Sequence, residues 1–208
     1  MKHKIPLLLA SGMIPLATTA LAGDFTPHVY VNTDLGAAFQ ENVRINSGSQ
    51  IAFHNGVRGD LSVGYQVKQW LAAELNTGCI WNSADRIGGV PVTSFDSKLD
   101  LYQVPILVNV ILSAPAWHGL RPYVGGGAGG MAALLEFQRP LGGIRDSDIT
   151  FGYQGMAGVN YRVSEHVEIG VGYKYFHSED HTWVENGVTL NTGGTANHSV
   201  LASFVWSF

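Results

Sequence analysis

The chain has 208 residues, 46% of them hydrophobic and only 13% charged, with a mean hydropathy of +0.10. A soluble domain carries about 25% charged residues, so much of this surface is expected to avoid water, yet the hydropathy is too low for a bundle of membrane helices. The formal net charge of −4 argues against nucleic acid as a partner, because phosphate binding needs a basic patch.

The first 22 residues read as a secretory leader. Lys2 and Lys4 supply its positive start, and Ile5 to Leu16 is mostly apolar but broken by Pro6 and Pro15. Ala20-Leu21-Ala22 fits the small-x-small cleavage rule, which puts the start of the mature chain at Gly23. The apolar run is too short to span a bilayer. Losing Lys2 and Lys4 reduces the 12 basic residues to 10 against 16 acidic ones, a net of −6. Beyond the leader there is no apolar run of about 18–20 residues. Only helices and closed barrels satisfy every backbone polar group in lipid, so entry into a membrane would require a closed sheet.

Eight segments with two-residue periodicity follow, each placing apolar and polar side chains on opposite sheet faces. The first runs from about Val29 to Phe39, the second from Phe53 to Val67, the third from Trp70 to Trp81 and the fourth from Ser97 to Leu112. The fifth, Leu120 to Phe137, is the least clear because its middle is mostly glycine. The sixth runs from Asp148 to Val163, the seventh from Val167 to His177 and the eighth from Ala196 to the end. One face is apolar and aromatic; the other carries Gly, Ser, Asn, Gln and single charges.

The connections alternate in length. Short turns follow segments two, four and six, at Lys68-Gln69, Ala114 to Gly119 and Ser164 to His166. Long polar loops follow the odd segments, at about Gln40 to Ala52, Asn82 to Asp96, Gln138 to Ser147 and Ser178 to Thr195. This rhythm is that of transmembrane barrels, with short periplasmic turns and long extracellular loops. Aromatics near the segment ends (Phe39, Tyr65, Trp70, Trp81, Tyr161, Tyr173, Tyr175, Phe208) suit interfacial girdles. The predicted fold is all-β, an eight-stranded antiparallel up-and-down transmembrane β-barrel spanning 23–208.

The last stretch, His198-Ser-Val-Leu-Ala-Ser-Phe-Val-Trp-Ser-Phe208, resembles the C-terminal assembly signal of bacterial outer-membrane proteins. Val200, Ala202, Phe204, Trp206 and Phe208 carry that alternating pattern. Leu61-Ser-Val-Gly-Tyr65, Val104-Pro-Ile-Leu-Val-Asn-Val110, Arg121-Pro-Tyr-Val-Gly-Gly-Gly-Ala-Gly129 and Ile169-Gly-Val-Gly-Tyr-Lys-Tyr175 are similar to the opacity-type and outer-membrane-protein-A-like family of small barrels. The resemblance implies an outer-membrane location and recognition of the last strand by the barrel assembly machinery. It leaves activity open, because the family holds adhesins, structural anchors, stress proteins and enzymes.

With the apolar face against outer-membrane lipid, the polar face is enclosed. Asp34, Arg58, Asp60, Glu74, Arg162, Glu168 and Lys174 then point inward, and enclosed charges must pair. A salt-bridge network near Arg58 and Arg162 is expected. Glycines on that face (Gly125, Gly127, Gly129, Gly152, Gly158, Gly170, Gly172) leave room for long neighbours. Eight strands leave little lumen, which favours a packed plug over an ion path.

Other motifs weigh less. Gly125 to Gly130 matches G-x-G-x-x-G but lacks the strand–helix setting of a nucleotide site. His177, Ser178, Glu179, Asp180 and His181, with His198 and Ser199, mimic a Ser-His-acid set. Parity, however, turns His177 and His198 outward and Ser178 and Ser199 inward, whereas a triad needs mutual hydrogen-bond reach. His177, His181 and His198 could form only a weak metal site, and Cys79 alone builds neither a disulfide nor a cysteine-rich centre. The expectation is a monomeric, cofactor-free barrel, structural or adhesin-like, that meets an extracellular ligand through its loops. The rivals are a lipid A deacylase-like enzyme, a small porin-like channel and a soluble barrel with its apolar face inside.

Overall fold

The computed structural model describes residues 25–208 except 46–47, 96, 140–141 and 186–187. The expected leader and its cleavage point lie outside the described residues. The eight alternating segments form eight long strands. They are β1 (His28–Gln40), β2 (Gly56–Lys68), β3 (Leu71–Ile87), β4 (Lys98–Ser113), β5 (Leu120–Arg139), β6 (Gly142–Arg162), β7 (Val167–Ser178) and β8 (Ala196–Ser207). Each pairs antiparallel with its neighbour in sequence, and β8 returns to β1 from Tyr30↔Ser207 to Gln40↔Asn197. The barrel is therefore closed and presents no free edge within the membrane, as lipid demands.

Register fixes which face looks out. Leu35, Val108, Val171 and Val200 are each more than half exposed, while Arg58, Asn76, Asn109 and Ser199 are completely buried. In water such an inside-out arrangement would expose one continuous apolar belt. In hydrocarbon it costs nothing. Tyr65, Trp70, Tyr161 and Trp206 lie exposed toward the short turns, and Phe39, Trp81, Tyr153 and Tyr173 toward the long loops. Between Tyr65 and Val57, the partner of Trp81, a tilted strand rises about 20 Å along the axis, close to the apolar band of roughly 25 Å.

The structure corrects two expectations. Phe53 does not open the second barrel strand: it ends a short strand, Gln50–Phe53, that pairs with the far end of β3. The connections after β1, β3, β5 and β7 are not simply polar loops. β3 continues to Ile87, and β5 and β6 stay paired from Leu120↔Tyr161 out to Arg139↔Gly142. A further hairpin, His181–Glu185 with Val188–Thr192, follows β7. Polar composition hid these extensions, since strands above the membrane have water on one side. The turn after β3 places Gly88 and Gly89 at φ of 58° and 83°, with Ile87 paired to Val90. Two consecutive positive φ values are what a tight hairpin of matching twist requires, and glycine supplies them without strain.

The β3–β4 ladder is interrupted once. No pairs join Gly78 and Cys79 to β4 between Thr77↔Ile106 and Ile80↔Gln103, although both stay paired to β2. Pro105 sits in that interval and has no N–H to donate.

Candidate functional site

Taken from the short-turn end outward, the lumen is built in layers. At the mouth lies a cavity of about 40 Å³, bordered by Tyr30, Asn32, Glu74, Arg121, Tyr123 and Lys174. Its two tyrosine rings rest on glycines of neighbouring strands. Tyr30 lies over Gly64, and the Tyr123 hydroxyl is 2.6 Å and 2.5 Å from where side chains would begin on Gly158 and Gly172. Any larger residue there would displace the ring. Tyr30 reaches past Gly64 to donate a 2.8 Å hydrogen bond to Glu74.

Two charge clusters follow. In the barrel centre Arg58, 0% exposed, donates through Nε to both oxygens of Asp60 at 3.0 and 2.9 Å, and through a terminal nitrogen to Gln154 at 2.8 Å. Lys174 Nζ bridges Asp34 at 2.7 Å and Asp60 at 2.8 Å. Nearer the mouth, Glu168 takes Arg121 at 2.7 Å and Arg162 at 3.3 Å. The inward charges thus form two clusters and not one network around Arg58 and Arg162. The Arg162 side chain is 54% exposed, because it stands at the end of β6 where the wall stops. Glu74 joins neither cluster by an ion pair. Arg121 was hidden from sequence reasoning by the glycine run that blurs the alternation of its segment. Gln154 was on the inward face, but its bond to Arg58 depends on how far strands are sheared around the barrel.

Above the charges the lumen turns apolar. Ala38, Ile80, Leu107, Met131, Ala133 and Phe176, contributed by β1, β3, β4, β5 and β7, are all 0% exposed and pack together. The expected polar plug is therefore partly a greasy one. Phe176 lies against Gly152, whose side chain would begin 2.9 Å from the ring. A belt of amides and hydroxyls caps this layer. Asn197 Nδ2 donates to Gln40 and Asn82, and Gln103 Nε2 donates to Thr195 at 2.5 Å. Ser178 and Thr195 share a 2.7 Å bond between their hydroxyls. Beyond the barrel, Ile51, Ala84, Val92 and Leu99 form a separate small core with Ile45, Phe53 and Ile87 beside it. Gly193 N donates to Arg44 O at 2.9 Å, and Ile45 bridges to Thr192, so the first and last long connections are tied together.

The outward rim holds the histidines. Ser178 is wholly buried and His177 instead packs against the Tyr153 ring, so this pair does not form a dyad. The group that does assemble is one sequence reasoning missed. Tyr173 Oη lies 2.6 Å from His198 Nδ1, and His198 Nε2 lies 2.8 Å from Glu41. Tyr173 and His198 stand on adjacent strands close in register, and β8 begins beside the connection after β1 that carries Glu41. The side chain of His181 lies outside the described residues. Among the described residues no three His, Cys, Asp or Glu side chains converge on a metal-sized site. Gly125 to Gly130 is strand throughout, paired on both sides. Val200, Ala202, Phe204, Trp206 and Phe208 all face outward at the end of the chain, which is held by a 3.0 Å bond from Phe208 N to Val29 O.

Comparison with known proteins agrees with this geometry. A family model described as outer membrane protein beta-barrel domain matches residues 7–208. Neisserial surface protein A is similar in structure, with a TM-score of 0.57 and 16% identity over 88% of this chain and 100% of that one. The outer membrane protein OprG from Pseudomonas aeruginosa gives 0.55 and 12% over 86% and 96%. A major outer membrane protein from Thermus thermophilus gives 0.51 and 11% over 86% and 99%. At these identities the likeness concerns the fold alone. No curated protein matches the chain at a significant level.

Proposed function

The chain belongs to the outer membrane protein beta-barrel domain family and resides in the cell outer membrane, and from that premise we propose that it acts as a sealed, non-enzymatic anchor presenting a folded surface platform. The observation that carries this reading is the pairing of a lumen closed by Ile80, Leu107, Met131 and Phe176 with a second packed core outside the membrane band. A rigid scaffold topped by ordered connections is the usual setting for surface binding. The ligand is taken outside the cell through that platform, and the barrel works as a monomer in outer-membrane lipid. Asp34, Arg58, Asp60, Glu74, Arg162, Glu168 and Lys174 serve to hold the wall together. The last strand, with Val200, Ala202, Phe204, Trp206 and Phe208, serves as the assembly signal, and the leader is removed after Ala22.

A complementation experiment tests the reading. Cells lacking the gene receive either the wild-type chain or one with Val92→Asp and Leu99→Asp, which break the outer core. Loss of surface attachment with the barrel still assembled supports the platform; full rescue by the altered chain contradicts it. In planar bilayers the purified barrel stays silent, and a steady open-channel conductance would contradict the seal.

The Tyr173–His198–Glu41 chain favours one second reading, chemistry on outer-leaflet lipid. An exposed hydroxyl, a base and an orienting carboxylate in series are the elements of acid–base catalysis. Unchanged lipid A acylation in cells carrying His198→Ala would remove it.

A further inference from the structure

The outward face near the long loops is not alike all round the barrel. Tyr153 of β6 stands opposite His177 of β7, and two residues along β7 Tyr175 stands opposite His198 of β8. The facing rings are close, with centroids 5.2 Å apart for Tyr153 and His177 and 5.1 Å for Tyr175 and His198. Tyr173 lies 6.0 Å from the His198 ring on its other side, and Glu41 adjoins His198 from the connection after β1. The opposite wall is different. On β3, β4 and β5, just below the Trp81–Tyr102 pair, the outward side chains are Cys79, Val104 and Ile106, with Gly130 beside them. An interfacial girdle encircles a barrel; a group of tyrosines, imidazoles and a carboxylate confined to β6–β8 is a separate feature.

A second observation concerns the hydrogen bonds of this group. Both nitrogens of His198 are engaged, by Tyr173 at 2.6 Å and Glu41 at 2.8 Å. The hydroxyls of Tyr153 and Tyr175 make no hydrogen bond to another described residue. Glu41 is 58% exposed and keeps acceptor capacity beyond the bond to His198. The group therefore offers two free hydroxyls and a carboxylate edge next to flat ring faces, on a surface turned toward lipid. Hydrocarbon can satisfy none of these polar atoms. Among the described residues no Lys or Arg joins the group, and Glu41 brings negative charge to it. An anionic phosphate is thus repelled at this spot, as like charges are.

We infer that this sector of the wall docks the sugar headgroup of an outer-leaflet glycolipid. The patch continues the lipid-facing belt upward to the long loops, which lie on the outer side in barrels of this kind, so a lipid of that leaflet reaches it without leaving the bilayer. A pyranose ring has an apolar face of C–H groups that packs on tyrosine and histidine rings, and hydroxyls around its edge that donate to Glu41 and exchange hydrogen bonds with Tyr153 and Tyr175. The acyl chains of the same lipid lie along the apolar side chains below, such as Val171 and Val200. The inference requires only the outer-membrane placement; it depends on neither the platform nor the lipid chemistry considered above.

The experiment places the folded barrel in phosphatidylcholine vesicles that hold equal amounts of a diglucosyl dialkylglycerol and a dialkyl phosphatidylglycerol. Ether linkages keep hydrolysis out of the result, so the outcome is independent of any activity on lipid esters. After extraction into a sugar-free detergent, native mass spectrometry counts the lipids still carried by the barrel. The wild type is expected to retain the glucosyl lipid over phosphatidylglycerol by about tenfold, the factor that one or two well-made contacts supply. Tyr175→Leu combined with His177→Leu keeps the wall apolar and is expected to lose most of that preference; Trp81→Leu on the opposite wall keeps it. Both variants are checked for the folded form by unheated gel mobility. Three results overturn the inference: equal retention of the two lipids or a preference for phosphatidylglycerol in the wild type, a preference that survives the double substitution, or one that Trp81→Leu abolishes as readily, which would reduce the sector to part of a general girdle. The wild-type comparison decides even when a variant fails to fold.

Discussion

The Arg58–Asp60–Lys174–Asp34 cluster and the Arg121–Glu168–Arg162 cluster use the same residue types within one lumen, yet they differ in what surrounds them. The first sits among fully buried side chains, beneath an apolar layer. The second opens on the short-turn end, with one arginine mostly in water. Attraction between charges is stronger where water is scarce, and so is the penalty for leaving one unpaired. Enclosure, more than the number of ion pairs, therefore sets how much each cluster matters.

The sharpest way to break this comparison is Asp60→Ala. It strips Arg58 and Lys174 of a shared partner inside the barrel and is expected to cost about 3–5 kcal/mol in urea unfolding from lipid vesicles. Phe176→Ala opens a void in the apolar layer above and is expected to cost roughly 3 kcal/mol in the same assay, since the barrel wall cannot collapse inward. Gly64→Val pushes the Tyr30 ring off its resting place and away from Glu74; about 1–3 kcal/mol of destabilisation is expected. Glu168→Ala removes the acceptor of the mouth cluster, where water can hydrate the arginines, and should cost about 1–2 kcal/mol and weaken further in high salt. His198→Ala at the exposed rim is expected to change stability by less than about 0.5 kcal/mol. If Asp60→Ala and Glu168→Ala cost the same, enclosure is not the controlling variable.

The strands were legible because lipid outside and packed polar groups inside impose alternation on almost every residue of the wall. The same alternation marks Asp34, Arg58, Asp60, Glu74, Glu168 and Lys174 as sharing a face. It carries no information about which of them meet. That depends on shear, which brings Gln154 to Arg58 and Lys174 to Asp34 from strands far apart in sequence. The apolar layer was obscured because Leu107, Met131 and Phe176 lie on the face read as polar, and a period of two says only which side a residue takes. The strand extensions above the membrane carry water on their outer faces, so their composition resembles that of loops. Tyr173, His198 and Glu41 meet only because β7, β8 and the connection after β1 converge at the rim.

The orientation of the wall is tested most directly with nitroxide probes in lipid vesicles. One is attached to the native Cys79, which is exposed on the outward face, and one to Val171→Cys in a Cys79→Ser background. Collisions with dissolved oxygen should exceed those with a water-soluble nickel chelate at both positions, as expected of side chains in hydrocarbon. Dominance of the nickel chelate, or silence toward both reagents, would mean that these side chains face water or a packed interior, and would contradict the barrel described above.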